Sequence, residues 1–279
     1  MTVTAARAQS NSDVCFVGIG ASSAACNVAR LTHAPDITLI YESGTIRDGS
    51  HRSASLHRRR RPLRDVGDGG LGPRMFRYWL QGGRITIGFL VRRFDKFGNI
   101  NTTVIGGYEK PKTRLPGAGA PEIASSCGEI YITMAQSTRG MVDKIDFVTS
   151  FGHREGGDHR ERLGIATKGS TLLIKDLAIW RPDLVTKEFT VMSLHPGVTE
   201  RMCRRLAVEG QFAENLDVTP APSELELKTL RDLKARTDAA HKGESSIAAA
   251  PLPTTAQRRE LSSRCAIEEV EGLTTLIIR

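Results

Sequence analysis

VCFVGIGASSAACNVARLTHAPDITLIYESG, residues 14–44, is the stretch on which the fold turns. VCFVGIG (14–20) is an apolar run that ends in glycines, as a buried strand does before a tight turn. SSAACNVARLT (22–32) carries small and apolar residues at helical spacing, and HAPD stops it. ITLIYE (37–42) is a second apolar, β-branched run. Strand, helix and strand in this order predict a βαβ unit. Such a unit in turn implies a mostly parallel sheet with helices on both faces, an α/β fold of Rossmann-like character.

The rest of the chain continues the alternation. MFRYWLQGG (75–83) predicts a short amphipathic helix with a glycine stop, and ITIGFL (85–90) a strand. FDKFGNINTT (94–103) contains a Gly-Asn turn. The glycine-rich RLPGAGAPEIA (114–124) leads into a helix-and-strand segment, SSCGEIYITMAQ. DKIDFVTS (143–150), TLLIKDLAIW (171–180) and FTVMSLHP (189–196) predict further strands, and 222–243 a polar helix. Residues 245–279 lose periodicity and are expected to be a poorly ordered tail behind one domain spanning 1–244.

At 279 residues and 30.4 kDa the chain can bury one sizeable core, and 39% hydrophobic with 25% charged residues is the balance of a soluble globular protein. No run of about eighteen apolar residues exists, so no membrane span is expected. MTVTAARAQSNSD lacks the apolar core of a signal peptide. The five cysteines (15, 26, 127, 203 and 265) form no CxxC pair, which fits a reducing cytoplasm and predicts neither zinc nor disulfides. The net charge of +8 invites a nucleic-acid reading, but residues 47–64 hold seven Arg and one Asp, a balance of +6. Only +2 is left for the other 261 residues, so the basicity is one island.

Several groups could carry chemistry. Gly18 and Gly20 fit the first two glycines of a dinucleotide fingerprint, with Glu42 where a ribose-binding acid would sit; the third glycine position is Ser23. Nicotinamide binding and a plain tight βα turn both remain open on these residues. Glu42 ends a strand at the crevice edge where α/β proteins bind ligands, or else caps the next helix. Ser43 and Gly44 after it allow close approach of backbone to a ligand. Gly117, Ala118, Gly119 and Ala120 offer consecutive N–H groups that could hold an oxyanion or phosphate, or form a flexible turn. The group His153, Glu155, Asp158 and His159 has metal-ligand types without helical pairing and predicts a solvated loop; His195 predicts a structural role.

GIGASSAACNVARLTHAPDITLIYESG, GGRITIGFL, FGNINTTVIG with YEKPK, RLPGAGAPEIA and DKIDFVTSFGH, in this order, resemble the β subunit of family I CoA-transferases of the glutaconate and 3-oxoacid types. The likeness runs over about residues 12–243, and the ESG turn is its most specific element. The resemblance implies the NagB/RpiA-like CoA-transferase fold, with Glu42 as nucleophile of a ping-pong transfer through a glutamyl-CoA thioester. It implies that the glycine loops at Gly18, Gly20, Ser43, Gly44 and 117–120 serve the CoA substrate and its oxyanions. A coenzyme A thioester is then a substrate, no tightly bound cofactor or metal is implied, and an α subunit completes a heterodimer or larger assembly. Acyl-CoA hydrolases and C–C-cleaving relatives share this fold and stay open as alternatives.

The resemblance fails from Arg47 to Pro73, where relatives continue with an apolar and acidic segment. Suitable codons for RSASLHRRRRPLRDVGDGG, read one nucleotide later, give VLPLSIGDGDLCETSEMVA, which restores the family pattern. Residues 47–73 are therefore expected to be an out-of-frame reading, and 200–211 a second one. On this view the arginines are no nucleic-acid arm. A chain translated as written would carry unpaired arginines beside the nucleophile, at a cost to its activity.

Overall fold

β1 (Val14–Val17) and β2 (Thr38–Tyr41) lie parallel and in register from Val14↔Thr38 to Val17↔Tyr41, joined by α2 (Ala21–Thr32), as the opening stretch predicts. They belong to a computed structural model that describes residues 1–18, 20–41, 46–47, 75–90, 93–117, 120–137, 140–206, 211–242, 267–270 and 273–276. The chain divides into two compact units, Met1–Ala240 and His241–Arg279.

In the first unit, nine described strands make one sheet. Its parallel centre runs β2, β1, β4 (Ile87–Leu90), β9 (Glu129–Thr133) and β11 (Ser170–Ile174). Beyond β11 come β12 (Ala178–Pro182) and β13 (Phe189–Leu194), each antiparallel to the strand before it, and then β14 (Gln211–Val218), parallel to β13. At the opposite edge β3 (Ile46–Arg47) pairs antiparallel with β2.

Side chains alternate across the central strands, and this sorts the core into two layers. Cys15, Val17, Leu39, Tyr41, Tyr131, Leu172 and Ile174 face one layer, with α1 (Thr2–Arg7), α2 and α6 (Glu224–Lys242) supplying Ala5, Ala25 and Leu233. Phe16, Ile40, Ile130, Ile132 and Leu173 face the other. There Ile123 and Cys127 of α3 (Ala120–Ser126) and its C-terminal continuation pack with Cys203 of α5 (Glu200–Leu206). Because both faces are covered, the central strands are apolar on both sides, which is why they read as continuous runs. The architecture is the expected α/β fold with a mostly parallel sheet.

Three segments differ from the sequence expectation. TLLIKDLAIW is a hairpin, β11 and β12, whose Lys175 N–H bonds Ala178 O at 3.0 Å; Lys175-Asp176-Leu177 turns without glycine or proline, so the sequence gives no break. In 141–150, Met141–Val142 forms β10 beside β5 (Arg93–Asp95), and only Ser150 bridges on to β6 (Ile100–Asn101). Asp143, Lys144 and Asp146 break the run between them. MFRYWL (Met75–Leu80) is π-helical, its wide turn closed by Gln81 N–H to Phe76 O and Arg84 N–H to Trp79 O. In the second unit β15 (Ile267–Val270) and β16 (Leu273–Leu276) form an antiparallel pair.

Candidate active site

Parallel strands joined by crossover helices place the first turn of each helix at the strands' carboxyl edge. Two glycine bends reach that edge here. After β1, Gly20 adopts φ +93° and caps α2, a conformation that side-chain-bearing residues rarely adopt. Gly18 is not compelled sterically, since a Cβ there would meet Ser22 Oγ and Phe89 O at ordinary contact distance, 3.5 and 3.6 Å. After β8 (Pro111–Arg114), Gly117 takes φ +76° just before α3, whose Ile123 and Cys127 lie against Gly88 of β4. Ala118 and Gly119 lie outside the described residues, and Ala120 is described only as the first residue of α3.

β2 ends at the same edge. Tyr41 pairs with Val17, and the chain returns antiparallel with Ile40↔Ile46 and Leu39↔Arg47. Glu42, Ser43 and Gly44, which follow Tyr41 in the sequence, are outside the described residues. Apart from Arg47 in β3, the arginine island is also outside the described residues.

Behind the Gly117 bend lies a buried polar network that the sequence reading passed over. Asn99 uses both ends of its amide. Its Nδ2 donates to Asp95 Oδ2 at 2.8 Å and Arg154 O at 2.7 Å; its Oδ1 accepts the Gly152 and Arg154 N–H groups at 2.9 Å each. Burial pushes the Asp95 carboxyl above the usual carboxylate range, and hydrogen bonds from Asn99 and the Phe97 N–H pull it back. Asn101 donates to Val104 O at 2.6 Å and accepts the Thr103 and Val104 N–H groups, which fixes a turn into β7 (Val104–Gly106). From that turn, Thr102 O accepts the Gly117 N–H at 2.9 Å and Thr103 O accepts the Leu115 N–H at 3.0 Å. The Gly-Asn signal marked the turn, but burial of its amides is a tertiary fact that no local pattern carries.

His195 and His153 each hold a backbone carbonyl. His195 donates through Nε2 to Lys175 O at 2.8 Å and meets Thr219 Oγ1 at 3.1 Å, and burial lowers its pKa. His153, expected on a solvated loop, is buried instead: its Nε2 donates to Ser170 O at 2.8 Å, and burial holds it down to about 4. Glu155 is exposed, but His159, which opens the short α4 (His159–Arg162), is largely buried, its Nδ1 3.5 Å from Glu155 Oε2. Among the described residues no three His, Cys, Asp or Glu side chains gather as a metal site would require, and no helix is long and apolar enough to cross a membrane. Lys175, at the end of β11, is fully buried beside Met141, Phe94 and Trp180, and burial lowers it to about 8.

A profile of the Coenzyme A transferase family matches residues 1–201. The β subunit of the 3-oxoadipate CoA-transferase of Pseudomonas knackmussii is 53% identical over 253 residues, 86% of this chain and 94% of that protein. The β subunit of the glutaconate CoA-transferase of Acidaminococcus fermentans is 32% identical over 203 residues, 70% and 75% of the two chains. The crystal structure of glutaconate coenzyme A-transferase from the same organism superposes with TM-score 0.72 at 28% identity, covering 84% of this chain and 94% of that one. With these matches the nicotinamide reading of the Gly18–Gly20 turn gives way. The chain belongs to the coenzyme A transferase family, as a β subunit of a family I CoA-transferase.

Proposed function

We propose that this subunit moves coenzyme A between an acyl-CoA and a free dicarboxylic acid of the 3-oxoadipate kind, with Glu42 as nucleophile. A Glu42 carboxylate oxygen attacks the thioester carbon; the C–S bond breaks, leaving an acyl-glutamyl anhydride and CoA thiolate. The thiolate then attacks the Glu42 carbonyl and expels the acyl group as a free carboxylate, so that CoA is held as a glutamyl thioester. An acceptor carboxylate attacks that thioester, and the same two steps in reverse release the new acyl-CoA and restore Glu42. A carboxylate is a weak nucleophile, so each tetrahedral oxyanion needs donors aimed at it, and the N–H groups of the Gly18–Gly20 and 117–120 bends are the proposed source. Ser43 and Gly44 let the backbone come close to the bound thioester.

The observation that carries this reading is topological: β2 runs out at Tyr41, immediately before Glu42, on the edge that also bears both glycine bends. Acids named in both β-subunit relatives are dicarboxylic, which supports the substrate class. That each relative is one subunit of a larger enzyme supports an α-subunit partner in a heterodimer or larger assembly. Four described cysteines are free and buried, in keeping with a cytoplasmic protein. We further propose that residues 47–73 and 200–211 are out-of-frame readings and that no nucleic acid is bound.

The test co-assembles the α subunit with this chain, both as written and with 47–73 restored to the alternate frame. Incubation with an acyl-CoA followed by peptide mass analysis is expected to place a CoA adduct on Glu42 of the restored chain, absent in Glu42→Gln. Turnover by the restored complex with no adduct, or an adduct surviving Glu42→Gln, would overturn the proposal.

A further inference from the structure

We infer that Thr149 is a positioning residue for CoA transfer, its hydroxyl setting the place of the turn from which the Gly117 bend hangs. This rests on the reading of that bend as an oxyanion cradle. Thr149 Oγ1 accepts the Thr102 N–H at 2.9 Å and lies 2.7 Å from Thr103 Oγ1. Its own position is fixed by backbone: Thr149 and Ser150 N–H both donate to Ile100 O, at 2.9 and 3.0 Å, and Ile100 N–H donates to Ser150 O at 2.7 Å. On the far side of the same two residues, Thr102 O and Thr103 O hold the Gly117 and Leu115 N–H groups. The chain of support is therefore continuous from β6 through the Thr149 hydroxyl and the 102–103 turn to the bend.

A Cβ built on Gly117 would meet nothing within 4 Å among the described residues, so no close contact at that position forces its φ of +76°. Hydrogen bonds set it, and the Asn101 side chain, committed to Thr103 and Val104, fixes the shape of the turn but not where it sits. Loss of the Thr149 hydroxyl would leave the buried Thr102 N–H without its acceptor and let turn and bend drift together. A donor misplaced by a fraction of an ångström weakens the transition state much more than it weakens binding of the long CoA tail.

The test compares wild type, Thr149→Val and Thr149→Ser, each co-assembled with the α subunit in the restored frame. In Thr149→Val, kcat is expected to fall about 10–100-fold, part of the loss seen on removing a whole oxyanion donor. KM for acyl-CoA should stay within about threefold, and Thr149→Ser should recover most of the rate. Hydrogen exchange of peptides spanning 113–120, which needs no turnover, should speed up about tenfold in the valine variant alone. If the valine variant fails to fold, Thr149→Cys replaces the hydroxyl by a weakly accepting thiol and should show the same two changes to a smaller degree. Unchanged exchange, or a loss of rate carried by KM, overturns the inference. Should exchange respond while wild type forms no Glu42 adduct, the covalent reading fails and the assignment of Thr149 to catalysis falls with it, leaving a structural clamp.

Discussion

Replacing Lys175 with methionine is expected to make the protein more stable at neutral pH and to flatten its stability in mild alkali. The ammonium is fully buried, its Nζ 5.4 Å from the Phe94 ring centroid, 5.1 Å from that of Trp180 and 3.6 Å from Met141 Sδ. Burial lowers its pKa from 10.5 to about 8, while Cys203 and Asp176 pull slightly the other way. The folded protein thus holds fewer protons than the unfolded chain between about 8 and 10.5, so stability rises with pH across that window. Below it the charged form costs about 3 kcal/mol, a gap of about two and a half pH units at 1.36 kcal/mol each. The two aromatic faces return about 1–2 kcal/mol of that as cation–π attraction. Methionine fills a similar volume without charge and keeps the Lys175 carbonyl that receives His195. The net gain at pH 7 is therefore about 1–2 kcal/mol, or a rise in Tm of about 2–6 °C for a domain of this size. Urea unfolding of both proteins at pH 7, 8, 9 and 10 measures it, because other titrating groups cancel in the difference. A difference that stays constant from pH 7 to 10 would refute the buried ammonium as its source.

Three further outcomes follow from the geometry. Asn99→Ala should cost about 3–4 kcal/mol in urea unfolding, because it orphans Asp95 Oδ2 and the Gly152 and Arg154 N–H groups at once; Asn99→Asp should fare no better, since it cannot donate to Asp95 or Arg154 O. Arg7 grips both Glu226 oxygens, at 2.7 and 2.6 Å, while Glu226 closes a capping box with Ser223, and the carboxyl is held down at about 2, with the Arg7 hydrogen bond as the leading cause. Because this pKa is depressed below 4.5, its stabilisation is present above that pH and lost as pH falls toward about 2; Glu226→Gln should remove that part of the acid transition in a pH-dependent melting series. Resequencing the gene across codons 46–74 and 200–211 should reveal inserted or deleted bases, and an unbroken frame would refute the out-of-frame reading.

Local pattern carried the core of the fold because β1, α2 and β2 differ in period and are separated by glycine or by His33-Ala34-Pro35-Asp36. Where the hairpin turned on Lys175-Asp176-Leu177, nothing local marked it; the bond from Lys175 N–H to Ala178 O closes it. Strand geometry at 143–149 was lost to the charged residues, which sit on an exposed stretch while Ile145 alone is buried. The glycines of the candidate site were legible because glycine spacing is visible in a sequence. Asp95, Asn99, Asn101 and Thr149 were not, since their importance lies in partners distant in the sequence: Asn99 meets Arg154, as Thr102 meets Thr149, only in the folded chain.

The placing of unsatisfied polar atoms supports the same edge. Ser22 Oγ in the first turn of α2, Thr102 Oγ1 beside the Gly117 bend and Thr133 Oγ1 at the end of β9 are all buried and have no hydrogen-bond partner among the described residues. A buried hydroxyl left so costs about 1–3 kcal/mol, and alanine or valine would fit these sites more cheaply. Other orphans among the described residues include Trp180 Nε1 and Ser150 Oγ, the latter next to Thr149, so such atoms do not by themselves mark the site. These three hydroxyls, one next to each glycine bend and one at the end of β9, are nonetheless polar groups that packing does not require. A covalent transfer that builds and collapses an oxyanion at each step needs a rigid polar rim of this kind, because donors that had to reorganise during the reaction would forfeit much of their effect.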